Sequence, residues 1–392
     1  MKPLFSPAFA VLSIFCGLAL LDSAINEKVK ETPSPAPGIE CSANPKIQAA
    51  ILLDVSGSMD GLIEQAKAQL WNMVSVMGRV KCGQSAPQIE IALYEYGRTT
   101  NSEKEGYIKQ ISAFSTDLDQ LSQELFKLTT NGGDEYCGHV ILTSLGELRW
   151  DTASTNYKVI FIAGNEDFLQ GSVAWTAACR EAKRKGVIVN TIYCGNKEQG
   201  IREHWNLAGE CGNGSYTNID QNAEEQNIPT PYDSLLFLYN DNLNSTYLAY
   251  GTMGTANYAK QGNVDKLNRS MRTPEAMVKR VEVKSNRKVY GNESWDLVDA
   301  VAKDSLALAK IDSKTLPDSL KNKSRAELEQ IVNAKAAERN NIQKGIIELV
   351  EKRNAYIAAE KAKIAVNNAS TLETEVERMI REQVKRFNMQ VQ

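Results

Sequence analysis

The chain predicts an α/β fold: a doubly wound, mostly parallel sheet with helices on both faces, followed by a C-terminal α-helical region. Three observations point there. Short, continuous apolar runs recur at 47–53, 159–163 and 187–193, as strands buried on both faces require. Stretches with apolar residues at helical spacing separate them. Beyond about residue 300 only the helical period remains. Strands alternating with helices imply a parallel sheet covered on both sides.

The elements follow in order. Ile47 to Leu53 is the first buried strand; Leu62, Ala66, Leu70, Met73, Val74 and Met77 then mark a helix. Ile89, Ile91 and Leu93 alternate as in a strand, and Tyr107 to Ile111 reads as a short edge strand. Leu118, Leu121, Leu125 and Leu128 mark a second helix. Val159 to Ala163 is a strand, and Ser172 to Lys185 is a helix stopped by Gly186. Val187 to Tyr193 is the next buried strand, followed by a short helix near Trp205 and a strand at Ser215 to Asn218. Residues 46–220 therefore make one doubly wound domain. Residues 221–300 are a polar, Tyr-rich connecting region in which Tyr232, Tyr239, Tyr247, Tyr250 and Tyr258 are expected to pack against the sheet domain.

Residues 301–392 form the helical tail. Ser324 and Glu327 have capping-box spacing, where each side chain satisfies a backbone donor at the helix start. Leu328, Ile331, Ile342, Ile346, Leu349 and Tyr356 continue that helix. Ser370 and Glu373 repeat the signal ahead of Val376, Met379, Val384 and Phe387. The stripe is too short and irregular to specify a coiled coil. Docking on the chain itself and self-association through the tail are both compatible with it.

The N-terminus bears on compartment. Lys2 precedes an apolar run from Leu4 to Leu21, which reads as a signal peptide over residues 1–24, with small residues placing cleavage after Ala19 or Ala24. Retained, the same run is a membrane anchor of about 18 residues. Cys16 offers lipid attachment, against which stand the bulky Phe15 and the continuing apolar run. Residues 25–45, with three prolines between Glu31 and Gly38, form an extended linker. Without Cys16 the cysteines are even in number: Cys41, Cys82, Cys137, Cys179, Cys194 and Cys211. In an exported chain all six are disulfide candidates, and their pairing is not set by sequence. The protein is expected to be exported: periplasmic, envelope-bound or secreted.

Composition excludes several functions. The net charge is −3, and the absence of a basic stripe argues against a nucleic-acid partner. The only histidines are His139 and His204, so no zinc spacing exists. His139 reads as a structural residue at a helix start. No phosphate-binding loop or dinucleotide fingerprint is present, and Ser56 and Ser58 lack a positioned base. The chain is not expected to be an enzyme.

The distinctive motif is Asp54-Val-Ser-Gly-Ser-Met59. It follows a buried strand and precedes an amphipathic helix, so it lies at the carboxyl end of a parallel sheet, where ligands collect. One carboxylate and two hydroxyls at alternate positions suit a hard cation: Mg²⁺, or Ca²⁺ or Mn²⁺. Gly57 lets the backbone turn between the serines.

At these residues, and in the order of strands and helices over 46–220, the sequence resembles the von Willebrand factor A (VWA) family and its metal-ion-dependent adhesion site. Asp54, Ser56 and Ser58 match. The family's Thr after a double glycine is replaced here by Asp134 after Gly132-Gly133, and the family's strand-end Asp by Gly164, followed by Asn165 and Glu166. Asp134, Glu135, Glu166 and Asp167 should therefore flank Asp54. Asp134 and Glu166 are candidate supplementary ligands. Extra carboxylates would tighten cation binding, or favour Ca²⁺, and disfavour an acidic partner. The stretches 132–138, 161–166, 190–195 and 295–299 also resemble an uncharacterised family of exported bacterial VWA proteins. The resemblance implies metal-dependent capture of a protein partner or adhesion. Two other functions fit the sequence: a scaffold acting through its helical tail around a structural metal, and a metal-assisted hydrolase using the acidic loops.

Overall fold

The structure, a computed structural model, describes residues 41, 44–220, 228–363 and 372–392. The expected leader, the proline-rich stretch and the start of the second capping box at Ser370 lie outside the described residues. The chain runs β1 (Lys46–Asp54), α1 (Asp60–Gly78), β2 (Val80–Cys82), β3 (Gln88–Tyr96), β4 (Lys109–Ser115), α2 (Leu118–Lys127) and α3 (Cys137–Glu147). It continues through β5 (Tyr157–Gly164), α4 (Trp175–Lys185), β6 (Ile188–Cys194), α5 (Lys197–Arg202), α6 (Trp205–Cys211) and β7 (Tyr216–Ile219).

Six strands form one sheet in the order β4-β3-β1-β5-β6-β7. All neighbours are parallel except the edge pair β3–β4. The edge strand begins later than the sequence suggests, because Tyr107 closes a turn: its φ is 57° and its N–H donates to the Ser102 carbonyl at 2.9 Å. The period of two in β1 divides the core. Ile47, Ala49 and Leu53 face a layer built on α1 and α2, while Ala50 and Leu52 face α3, α4 and α6.

α1 is buried nearly all round from Gln69 to Gly78, including Trp71 and Asn72. A helix apolar on every side must have packing on every side, and the remainder of the chain supplies it. Residues 228–363 contain α7 (Asp233–Asn244), α8 (Gly254–Arg269), α9 (Glu275–Ser285), α10 (Leu297–Lys303), the one-turn helices α11 (Ala307–Lys310) and α12 (Asp318–Lys321), and α13 (Arg325–Lys363). α9 lies against the outer side of α1, where Val289 fills the space that a side chain at Gly78 would need. α13 starts with its capping box formed: Ser324 N–H donates to Glu327 Oε2 at 2.8 Å, and Glu327 N–H to Ser324 Oγ at 3.3 Å.

Three arginines stitch this helical layer together. Arg280 of α9 is fully buried, donates to Asp119 of α2 at 2.6 Å and to Asp265 of α8 at 2.5 Å, and stacks over Trp71 at 4.6 Å. Arg339 of α13 bonds Asp296 at 2.6 Å and Asp299 at 2.9 Å. Arg353 bonds Asp233 and Glu275, each at 2.7 Å.

The chain end returns to the sheet. α14 (Leu372–Gln383) buries Leu372, Val376, Met379 and Ile380 and packs on α1, and β8 (Met389–Val391) pairs antiparallel with β2. Gln383 is fully buried, accepting from the Tyr157 hydroxyl at 2.8 Å and exchanging hydrogen bonds with Asn190. The apolar stripe of the tail is thus used within the chain.

Two disulfides form: Cys41–Cys82 and Cys179–Cys211. Of the six candidates, Cys137 and Cys194 are free, buried thiols. They cannot meet, because Cys137 belongs to the core on one face of the sheet and Cys194 to the core on the other. No helix among the described residues is long and apolar enough to cross a membrane.

Candidate metal site

β1 ends between the ends of β3 and β5, with Asp54 opposite Tyr96 and Leu53 opposite Ala163. This is where the strand order reverses, so the loops leaving β1, β3 and β5 part and leave a crevice. Backbone bonds fix the loops after β1 and β3 to each other and to the segment between α2 and α3: Val55 N–H to Tyr96 O at 2.9 Å, Asn131 N–H to Val55 O at 2.8 Å, and Thr99 N–H to Gly132 O at 3.1 Å.

Asp54 is fully buried. Its Oδ1 accepts from the Ser56 N–H at 2.7 Å, while its Oδ2 has no hydrogen-bond partner. Burial pushes its carboxyl up to about 7, against hydrogen bonds with Ser56 and an approach of the Asn165 backbone N–H, with the charge of Glu166 adding to the rise. A buried acceptor without a donor costs stability unless something else satisfies it. The serine hydroxyls of Ser56 and Ser58 lie 3.4 Å apart, and Asn165 donates to Ser58 Oγ at 3.2 Å. The sequence-read trio is therefore brought together, with Asn165 as an unforeseen neighbour.

Gly164, which stands where the resemblance expects an Asp, has a steric explanation. A Cβ at Gly164 would stand 2.6 Å from the Tyr96 hydroxyl and 3.0 Å from Asp54 Oδ2, so Tyr96 fills the room an Asp side chain would need there. The Tyr96 hydroxyl is itself engaged, donating to Ala163 O at 2.9 Å. In the second loop, a Cβ at Gly133 would come within 2.5 Å of the Gly97 carbonyl, so that glycine is needed for close approach of two backbones.

The acidic residues divide by direction. Asp134 is exposed and accepts from the Tyr136 hydroxyl at 3.1 Å. Its neighbour Glu135 turns inward and is 6% exposed. Burial first, then the charges of Asp54 and Glu166, push the Glu135 carboxyl up to about 8, against a hydrogen bond with Ser56. Glu166 is exposed at the rim, where its carbonyl accepts from Trp205 Nε1 at 2.7 Å. Asp167 pairs with His204 Nδ1 at 3.1 Å. His139 packs against the Gly106 turn, where it leaves no room for a Cβ. The sequence left Glu135 outside the ligand set; its place between the double glycine and a buried, apolar helix start was the available signal.

Among the described residues no three His, Cys, Asp or Glu side chains are grouped to hold a metal ion. A cation here would therefore depend on the serine hydroxyls as well as on carboxylates. The donor set suits one: all its members are hard oxygens, and one buried carboxylate oxygen is unpartnered.

No family model matches the chain, and no curated protein matches it. Solved structures do. An aerotolerance-related membrane protein from Bacteroides fragilis is 14% identical, with a TM-score of 0.31 over 44% of this chain and 92% of its own. A von Willebrand factor type A protein from Catenulispora acidiphila is 15% identical, with a TM-score of 0.33 over 45% and 39%. Proximal thread matrix protein 1 from the mussel byssus, solved with a zinc-occupied adhesion-site motif, is 13% identical, with a TM-score of 0.34 over 46% and 42%. These likenesses are distant and concern the fold, an open, mostly parallel sheet between helices, in which this chain is similar to VWA domains.

Proposed function

We propose that this protein is an exported VWA-type module that captures a protein partner in a cation-dependent manner. Asp54, Ser56 and Ser58 would hold Mg²⁺, Ca²⁺ or Mn²⁺ at the carboxyl end of the sheet. Glu166 would supplement them from the rim. Asp134, engaged by Tyr136, is the weaker of the two supplementary candidates. The observation that carries the proposal is the buried, unpartnered Oδ2 of Asp54 beside two serine hydroxyls. Bound there, the cation would supply positive charge to a crevice lined by carboxylates, and would set the geometry of three loops that together face the partner. Export is supported by the two disulfides, which persist in oxidising compartments.

The Ser56 and Ser58 hydroxyls bond each other, and Ser58 also bonds Asn165. The direct test is capture of envelope or secreted proteins on the immobilised full chain. Retention in Mg²⁺ or Ca²⁺, release by EDTA, and loss of retention in Asp54→Ala support the proposal. Equal retention by wild type and Asp54→Ala, in the presence or absence of EDTA, contradicts it and moves attention to the helical layer.

A further inference from the structure

We infer that Glu135 closes the cation's coordination shell from within the chain, so that the site selects a partner lacking an exposed carboxylate there. The inference rests on the cation-binding reading above and specifies its partner chemistry. Three side chains converge on the open face of Gly97, whose φ is +82°. A Cβ built at that glycine would lie 2.9 Å from Asp54 Oδ1, 3.1 Å from Glu135 Cγ and 3.6 Å from Ser56 Cβ. Glu135 is thus beside the first two ligands, and it is 6% exposed. It is no free arm: Gly133 abuts the Gly97 carbonyl, and Thr99 N–H holds the Gly132 carbonyl at 3.1 Å. A separate observation marks Asp54 as a candidate ligand: its Oδ2 is buried and has no hydrogen-bond partner.

Charge then sets the partner. Two buried carboxylates in a low-dielectric crevice repel, and a divalent cation between them makes the site neutral. A third carboxylate, from a partner, would enter a site already neutralised, with Glu166 adding further negative charge at the rim, and would be repelled. A second protein carboxylate also raises the number of hard oxygen ligands, which accommodates Ca²⁺ as well as Mg²⁺.

The test uses the full, disulfide-bonded chain, with calorimetric titration of Mg²⁺ and of Ca²⁺ into wild type, Asp54→Ala and Glu135→Gln. Glu135→Gln is expected to lose about tenfold or more in cation affinity, while melting in EDTA no lower than wild type, which shows that it folds. In a second arm, acetate is added to cation-loaded wild type and Glu135→Ala. Acetate should raise the melting point of the variant, whose shell is open, and leave wild type unchanged. Wild-type affinity retained in Glu135→Gln overturns the inference and leaves the cation site standing, as does acetate binding equally to loaded wild type. No cation binding by wild type overturns both.

Discussion

Asp54 would have opposite effects on stability with and without the proposed cation, and pH separates them. Its native pKa of about 7 stands above its ordinary 3.8, so between those values the native state binds more protons than the unfolded one. Stability then falls as pH rises through that window. Glu135, raised to about 8, extends the fall upward. In EDTA the melting midpoint should therefore drop between pH 5 and pH 8, and Asp54→Asn should recover on the order of 2 kcal/mol at pH 8. Thermal scans at the two pH values check this; a wild-type midpoint that is flat or rises would refute the assigned burial. Asp54, Ser56 and Ser58 were legible because their alternate spacing follows a buried strand. Glu135 was expected to flank Asp54, but its inward turn was not legible, because sequence gives the order of acidic residues in a loop but not which of them turns inward. The close approach of Gly133 to the Gly97 backbone, and of Gly97 to the Glu135 side chain, joins segments that sequence patterning does not connect.

Helices α7 to α9 show where periodicity stops being informative. Their shared interior is polar: Asn240, Gln261, Asp265, Asn268, Arg280 and Lys284 are all buried. Lys284 donates to Asp265, Asn240 and Asn244, and burial, only partly offset by Asp265, lowers its ammonium to about 8. A method that looks for apolar stripes sees only a polar connector there. By contrast, β1, β5 and β6 were legible because both of their faces are apolar, whereas the half-exposed edge strand β4 was misplaced by two residues at its start. The apolar excess of α1 carried the complementary signal, since a helix covered on one side would not bury Trp71, Val74 and Met77 together with Asn72 and Ser75. Arg280 is the centre of this layer. Arg280→Met leaves Asp119 and Asp265 buried with less compensation and should cost about 3–5 kcal/mol. Lys127→Ala, which removes an exposed pair with Glu124, should cost under about 1 kcal/mol. Urea denaturation of both variants tests the contrast, and equal midpoints would contradict it.

At the scale of the molecule, the chain's last residues complete its first layer. α14 covers α1, Gln383 seals the buried hydroxyl of Tyr157, and β8 pairs with β2, the strand that also carries the Cys41–Cys82 disulfide. The tail's helical period was readable; its destination was not, because sequence patterning shows that a face is apolar without showing what covers it. Deleting residues 372–392 exposes the α1 side of the core, including Met73 and Leu70, which Leu372 and Val376 help to enclose. The truncated chain should lose its cooperative thermal transition or become insoluble. If instead residues 1–371 melt as sharply and as high as the full chain, α14 is an accessory and the sheet domain ends before it.

The central claim is that a cation binds at Asp54, and thermal denaturation of the full chain with Mg²⁺, Ca²⁺ or EDTA tests it most directly. A ligand specific to the folded state stabilises it by mass action, about 2.7 kcal/mol at a concentration one hundred times Kd. The midpoint of wild type should rise with at least one of the two cations and return with EDTA, while that of Asp54→Ala should not move. A wild-type midpoint indifferent to both cations and to EDTA, with no heat of binding, would contradict the account.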